Sequence, residues 1–152
     1  MRTLLSLEYE HFDSLDDMNN NDRALIEQAR IAVGNAIAPY SNFHVGAAAR
    51  LKSGNILHGS NSESEVFPAG LCAERSLLFH AFACHGHDPI ESIAIASKPD
   101  EQECYPCGQC RQVLLDAERR QGSPIRIIMC GHNSATVVAK AADLMPFTFK
   151  LP

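Results

Sequence analysis

Apolar residues recur along the chain at helix and strand intervals. Between Asp22 and Ala38, the residues Leu25, Ala29, Ala32, Val33 and Ala36 fall on one face at three-to-four spacing, which predicts a helix. Asn20 or Asn21 is placed to cap it, and Pro39 to end it. Phe43 to Leu51 reads as a strand, Lys52-Ser53-Gly54-Asn55 as a turn, and Ile56 to Gly59 as the returning strand of a hairpin. Leu71 to His85 is a second helix stopped by Gly86, Ile90 to Ser97 a short apolar strand, and Cys107 to Arg120 a third helix ending near Gly122. Ile125 to Cys130 and Thr136 to Lys140 read as two further strands. Ahead of all this, Thr3 to Glu10 has the rough alternation of an edge strand, and Asp13 to Asp22 is a polar linker. A hairpin followed by helix–strand alternation predicts an α/β fold with a mixed sheet and helices on its faces. Residues 1–18 form an N-terminal extension in this reading, and 19–152 one domain.

A length of 152 residues suits one domain with a real core, and 45% hydrophobic against 20% charged residues excludes a disordered chain. The net charge of −5 argues against nucleic acid as the main partner, because phosphate binding needs a basic face. The one dense basic pair, Arg119-Arg120, falls late in a predicted helix, where cations suit the dipole. No apolar run approaches the roughly 20 residues that span a bilayer. The first residues lack the long apolar stretch of a secretory signal, so a cytoplasmic chain is expected.

Six cysteines without a secretory signal point to metal rather than a disulfide framework. Cys107 and Cys110, three residues apart, share one face of the third helix. Cys72 opens the second helix, where free N–H groups and the dipole favour thiolate. Three protein thiolates leave a tetrahedral zinc ion one open position, the arrangement of a catalytic site, in which water loses a proton near neutral pH. Glu74, two residues beyond Cys72, is placed to move protons. Three thiolates on Zn²⁺ carry a net −1 that weakens Lewis acidity; Arg75 and Arg111, each directly after a motif, are candidates to offset it. The residues alone leave other readings open. Cys104-x2-Cys107-x2-Cys110 is part of an iron–sulfur pattern, although Val113 and Leu114 stand where the fourth cysteine belongs. Cys104 as a fourth ligand would close a structural zinc site. Cys84 and Cys130 read as core, and none of the seven histidines is assigned to metal.

Cys72-Ala73-Glu74 followed by Pro106-Cys107-Gly108-Gln109-Cys110 is the zinc-deaminase pattern. Together with Ala38-Pro39-Tyr40-Ser41-Asn42-Phe43-His44-Val45-Gly46-Ala47-Ala48 and the closing Asp143-Leu144-Met145-Pro146-Phe147, it resembles the small cytidine deaminases with three cysteine ligands, over about residues 20 to 149. The resemblance implies a three-layer α/β/α cytidine-deaminase-like fold with a mixed central sheet. It implies one Zn²⁺ per chain held by Cys72, Cys107 and Cys110, and a homotetramer whose active sites are shared between subunits. Glu74 would carry a proton from water to N3 of the pyrimidine and then to the leaving amine. Backbone at Ala73 would contact the base carbonyl, Phe43 would pack against the base, and Asn61 and Glu63 would hydrogen-bond the ribose. The implied reaction is deamination of cytidine or deoxycytidine, with a small nucleoside as partner, neither nucleic acid nor membrane, and a place in pyrimidine salvage.

One loop departs from the family. Where the pattern continues Asn-x-Glu-Asn-Ala-x-Tyr-Pro, this chain reads Asn61-Ser62-Glu63-Ser64-Glu65-Val66-Phe67-Pro68. Phe67 lacks the tyrosine hydroxyl, and Glu65 adds a carboxylate beside the expected sugar position. A lost hydroxyl partner or an added charge shifts selectivity strongly. A same-fold deaminase acting on a modified cytidine or another small aminated heterocycle is therefore the alternative, with a non-catalytic metal-stabilised module behind it.

Overall fold

The computed structural model describes residues 1–152. Its strands are β1 (Glu10–Phe12), β2 (His44–Leu51), β3 (Ile56–Ser60), β4 (Ile90–Lys98), β5 (Arg126–Cys130) and β6 (Ala135–Val138). Its α-helices are α1 (Asn20–Val33), α2 (Ala73–Cys84) and α3 (Gly108–Gln121). One six-stranded sheet runs in the order β1-β6-β5-β4-β2-β3, with β4 and β5 parallel and every other pair antiparallel.

The small residues of β2 explain the layering. Ala47 and Ala49 face one way, into a core with Leu77, Leu78, Ile93, Ile95, Leu114 and Ile127 from beneath α2 and α3. Ala48 faces the other way, into a second core with Leu25, Ile26, Ala29 and Val33 of α1. A strand buried on both faces by close-packed helices needs short side chains, and its two cores make the fold three layers, α/β/α. Gly46 shows how tight the fit is: a Cβ there would collide with the Ala29 carbonyl and the Val33 amide of α1. Gly59 of β3 plays the same part for α2, where a Cβ would strike the Ala73 carbonyl and the Leu77 side chain. Each fully buried Leu or Ile side chain in these cores contributes about 1.5–3 kcal/mol.

Local chemistry sets the helix ends. Asn19 caps α1, accepting from the Asp22 amide at 2.9 Å while its own side-chain amide donates to Asp22 at 2.8 Å. The cap therefore lies one residue before the asparagines expected to supply it. The helix stops at Gly34 rather than Pro39: the Gly34 amide turns back to Ile31, and Ala36 lies beyond the last turn despite matching its spacing. Gly122, at φ 68°, ends α3 in the left-handed region that glycine adopts freely.

The N-terminus differs from expectation. The edge strand is Glu10–Phe12, paired with Val137, Thr136 and Ala135, while Thr3 to Tyr9 is exposed and forms no strand. Four-residue β6 offers too short a partner for anything longer. Within the polar stretch that follows, Leu15 and Met18 are buried against the α1 face of the sheet, and Leu15–Asp17 forms a 3₁₀ turn. No helix is long and apolar enough to cross a membrane.

Candidate active site

Two helix starts meet at one end of the sheet. Cys72 is the cap residue of α2 and Cys107 that of α3, both with extended backbone and neither using its side chain as a cap. Their thiols are thus free to face each other, 3.9 Å apart, and Cys110, one turn into α3, lies 3.5 Å from Cys107. All three sulfurs fall within 4.8 Å of one another. Thiolates at about 2.3 Å from a tetrahedral zinc ion stand about 3.8 Å apart, so the cluster fits the ion. Cys104 is not part of it. It is buried in the core beneath α2 and α3, and desolvation pushes its thiol up to about 11.

The electrostatics set Cys72 and Cys110 apart. Hydrogen bonding from Cys110, then from Arg75 and Cys107, outweighs burial and brings Cys72 down to about 5. The hydrogen bond to Cys72, together with burial, in turn holds the buried Cys110 well above the ordinary thiol range. Arg75, one turn along α2, donates to Cys72 Sγ at 3.5 Å. Its Nε is buried with no hydrogen-bond partner, an orphaned donor beside the sulfurs. Arg111 points elsewhere, donating to the carbonyls of Pro106 at 2.9 Å and Leu144 at 3.2 Å.

Glu74 is 4% exposed, on the first turn of α2. Burial pushes its carboxyl up to about 7, and the Cys72 charge adds to the rise. Ala73 beside it is fully buried over Gly59.

Next to Cys72 and Arg75 opens a cavity of about 310 Å³, walled by Tyr40, Asn61, Ser62, Glu63, Ser64, Phe67, Gly70 and Leu71. The expected sugar-side residues are tied into its frame. Asn61 Oδ1 accepts from the Val45 amide at 2.8 Å and Nδ2 donates to the Phe43 carbonyl at 2.9 Å. Glu63 Oε1 accepts the amides of Tyr40 and Ser41 at 2.9 and 3.1 Å. The Ser41 hydroxyl, and then these amides, hold the Glu63 carboxyl below the usual carboxylate range. Phe43 is 40% exposed at the start of β2 and does not line this cavity. Phe67 is exposed and meets the Tyr40 ring edge-on at 5.7 Å between centroids; Glu65 is exposed too. The sequence assigns Tyr40 no role of its own. Its part here is a ring wall plus a backbone amide, and a backbone donor leaves no mark in residue identity.

Residues 19–122 match the zinc-binding region of cytidine and deoxycytidylate deaminases. A cytidine deaminase of Sporosarcina psychrophila is 37% identical over 127 residues, covering 82% of this chain and 88% of that protein. One from Halalkalibacterium halodurans is 38% identical over 92 residues, covering 60% of this chain and 68% of that protein. The crystal structure of cytidine deaminase from Burkholderia pseudomallei has a TM-score of 0.75 at 37% identity, covering 87% of this chain and 100% of that one. Cys72, Cys107 and Cys110 accordingly form a site for one zinc ion per chain. A thiol cluster at zinc spacing, on a sheet and helix arrangement shared along most of its length with these enzymes, shows that the chain belongs to the zinc-dependent cytidine deaminase family.

Proposed function

We propose that the chain hydrolyses cytidine and deoxycytidine to uridine and deoxyuridine with release of ammonia. The observation that carries this reading is the buried Glu74 carboxyl next to a three-thiol zinc site, at the edge of a nucleoside-sized cavity. A structural metal site has no use for a buried carboxyl so close to its ligands. Related chains at 37–38% identity bear the name cytidine deaminase, which favours cytidine over a modified base.

When bound, zinc supplies the Lewis acidity that makes water a nucleophile at neutral pH. Glu74 then manages the protons. It takes one from the attacking water, delivers it to N3 of the ring, and passes the next to the amine at C4, which leaves as ammonia. Arg75 offsets the negative charge of the thiolates through Cys72. The Glu63 carboxylate borders the cavity and is placed to take a ribose hydroxyl, while Asn61 keeps the loop in place. Backbone at Ala73 meets the base carbonyl and Phe43 packs on the ring.

The same reading extends to a homotetramer. Tyr40 and Phe67 are exposed on the wall of the cavity, Phe43 and Val66 are exposed as well, and a neighbouring subunit would cover them and complete the site. Such an enzyme belongs to pyrimidine salvage in the cytoplasm, with residues 1–18 an extension ahead of one catalytic domain.

The deciding experiment gives zinc-loaded protein cytidine and follows ultraviolet absorbance together with released ammonia. Equal production of uridine and ammonia supports the proposal. No conversion, with zinc present at one per chain, overturns it.

A further inference from the structure

Glu103 lies on the connection between β4 and α3, four residues before Cys107. Its side chain is only 7% exposed, and it does not border the cavity beside Cys72. Both of its oxygens are occupied. Ser134 Oγ, on the turn between β5 and β6, donates to Oε1 at 2.7 Å, and the Tyr105 hydroxyl donates to Oε2 at 3.0 Å. His11 of β1 covers the pair, with Nδ1 3.0 Å from Thr136 Oγ1 and 3.7 Å from Glu103 Oε1.

The backbone around Glu103 is held the same way. The Cys104 amide donates to the Cys130 carbonyl at 3.1 Å. A Cβ at Gly131 would press on the Asp100 carbonyl and the Glu103 amide, so this loop lies directly on the bare turn. Beyond Tyr105 the chain passes through Pro106 straight into Cys107 and then Cys110. A carboxylate taken out of water needs its oxygens satisfied. Here they are satisfied by the two groups that bracket the approach to the thiols.

We propose that Glu103 is a positioning residue of the zinc site: its carboxylate ties the loop entering α3 to the β5–β6 turn, and so sets Cys107 and Cys110 at metal-binding spacing from Cys72. The inference rests on the zinc reading above. It also gives β1 a task, since it brings His11 to 3.7 Å from Glu103 Oε1.

Cobalt serves as a spectroscopic substitute for zinc in the test. The full chain is titrated with Co²⁺, and the thiolate charge-transfer band and dissociation constant are read, with the thermal midpoint and far-ultraviolet circular dichroism recorded beside them. Glu103→Ala is expected to weaken metal affinity and to alter the band, because the loop that carries Cys107 and Cys110 loses its tie to the β5–β6 turn. Ser134→Ala is expected to move both in the same direction by less, and Glu103→Gln, which keeps an acceptor, to recover most of the affinity. Wild-type affinity and an unchanged band in both Glu103→Ala and Ser134→Ala overturn the proposal. If Glu103→Ala does not fold, Ser134→Ala and Tyr105→Phe decide by the same readout. A wild-type chain that binds neither cobalt nor zinc overturns the zinc reading, and this proposal with it.

Discussion

Gly59 of β3 lies directly beneath the Ala73 carbonyl of α2, with no room between them for a methyl group. Because Ala73 sits between Cys72 and Glu74, this contact sets the height of both groups over the sheet. Gly59→Ala must lift the first turn of α2. The expected loss of stability is about 1–3 kcal/mol, the usual cost of overpacking. Zinc retention should fall with it, read by metal analysis after dialysis beside a denaturant melt. Wild-type stability and full zinc would show that the contact does not set the helix.

Glu74→Gln keeps the shape of the side chain and removes its ability to carry a proton. The fold and one zinc per chain are expected to survive while kcat on cytidine drops by about 10²–10⁴-fold. Steady-state kinetics on zinc-quantified protein measures it. Undiminished turnover would remove Glu74 from proton transfer.

Asp22 anchors three parts of the chain. It is 5% exposed, and its Oδ2 accepts Arg126 Nε and Nη2 at 3.2 and 3.0 Å and the Asn19 side chain at 2.8 Å. Arg126 also meets Glu10 at 2.8 Å, so α1, β5 and β1 are joined. Breaking a fully buried pair costs about 3–5 kcal/mol; because Arg126 keeps some contact with water, Asp22→Ala should cost about 1–3. A double-mutant cycle with Arg126→Ala in chemical denaturation gives the coupling, and additivity of the two single changes would refute it.

The cysteines outside the metal site should differ sharply in reactivity. Cys84 is exposed. Cys130 is 1% exposed, and burial pushes its thiol up to about 12, as it pushes Cys104 up to about 11. Burial therefore keeps Cys130 and Cys104 as thiols, and only thiolate attacks an alkylating reagent. Mass-mapped alkylation of the zinc-loaded chain should label Cys84 within minutes and leave Cys104 and Cys130 unlabelled. Equal labelling of all three would mean that the sheet opens readily.

Much of this was legible in residue order, and the exceptions have physical causes. The metal site was legible because its ligands announce themselves by type, and because Cys107 and Cys110 are neighbours on one helix. The end of α3 was legible because Gly122 takes a backbone conformation other residues resist. The end of α1 was not, since Ala36 prolongs the apolar spacing past Gly34, where the hydrogen bonding turns back. The extent of β1 was not, because alternation in a strand says nothing about how long its partner is. The bracing of Glu63 was hidden for another reason. Its partners are the amides of Tyr40 and Ser41, which nearly any residue would supply.

The pairing of β1 with β6 joins the two ends of the chain, with Glu10 opposite Val137. During synthesis, the first strand therefore waits for nearly the whole protein to emerge before it finds its place, and loop closure over that span is slow. Until then β6, once formed, presents an open edge to any other extended chain. A chain shortened from its N-terminus past Phe12 would keep that edge open permanently, with self-association through β6 as the consequence.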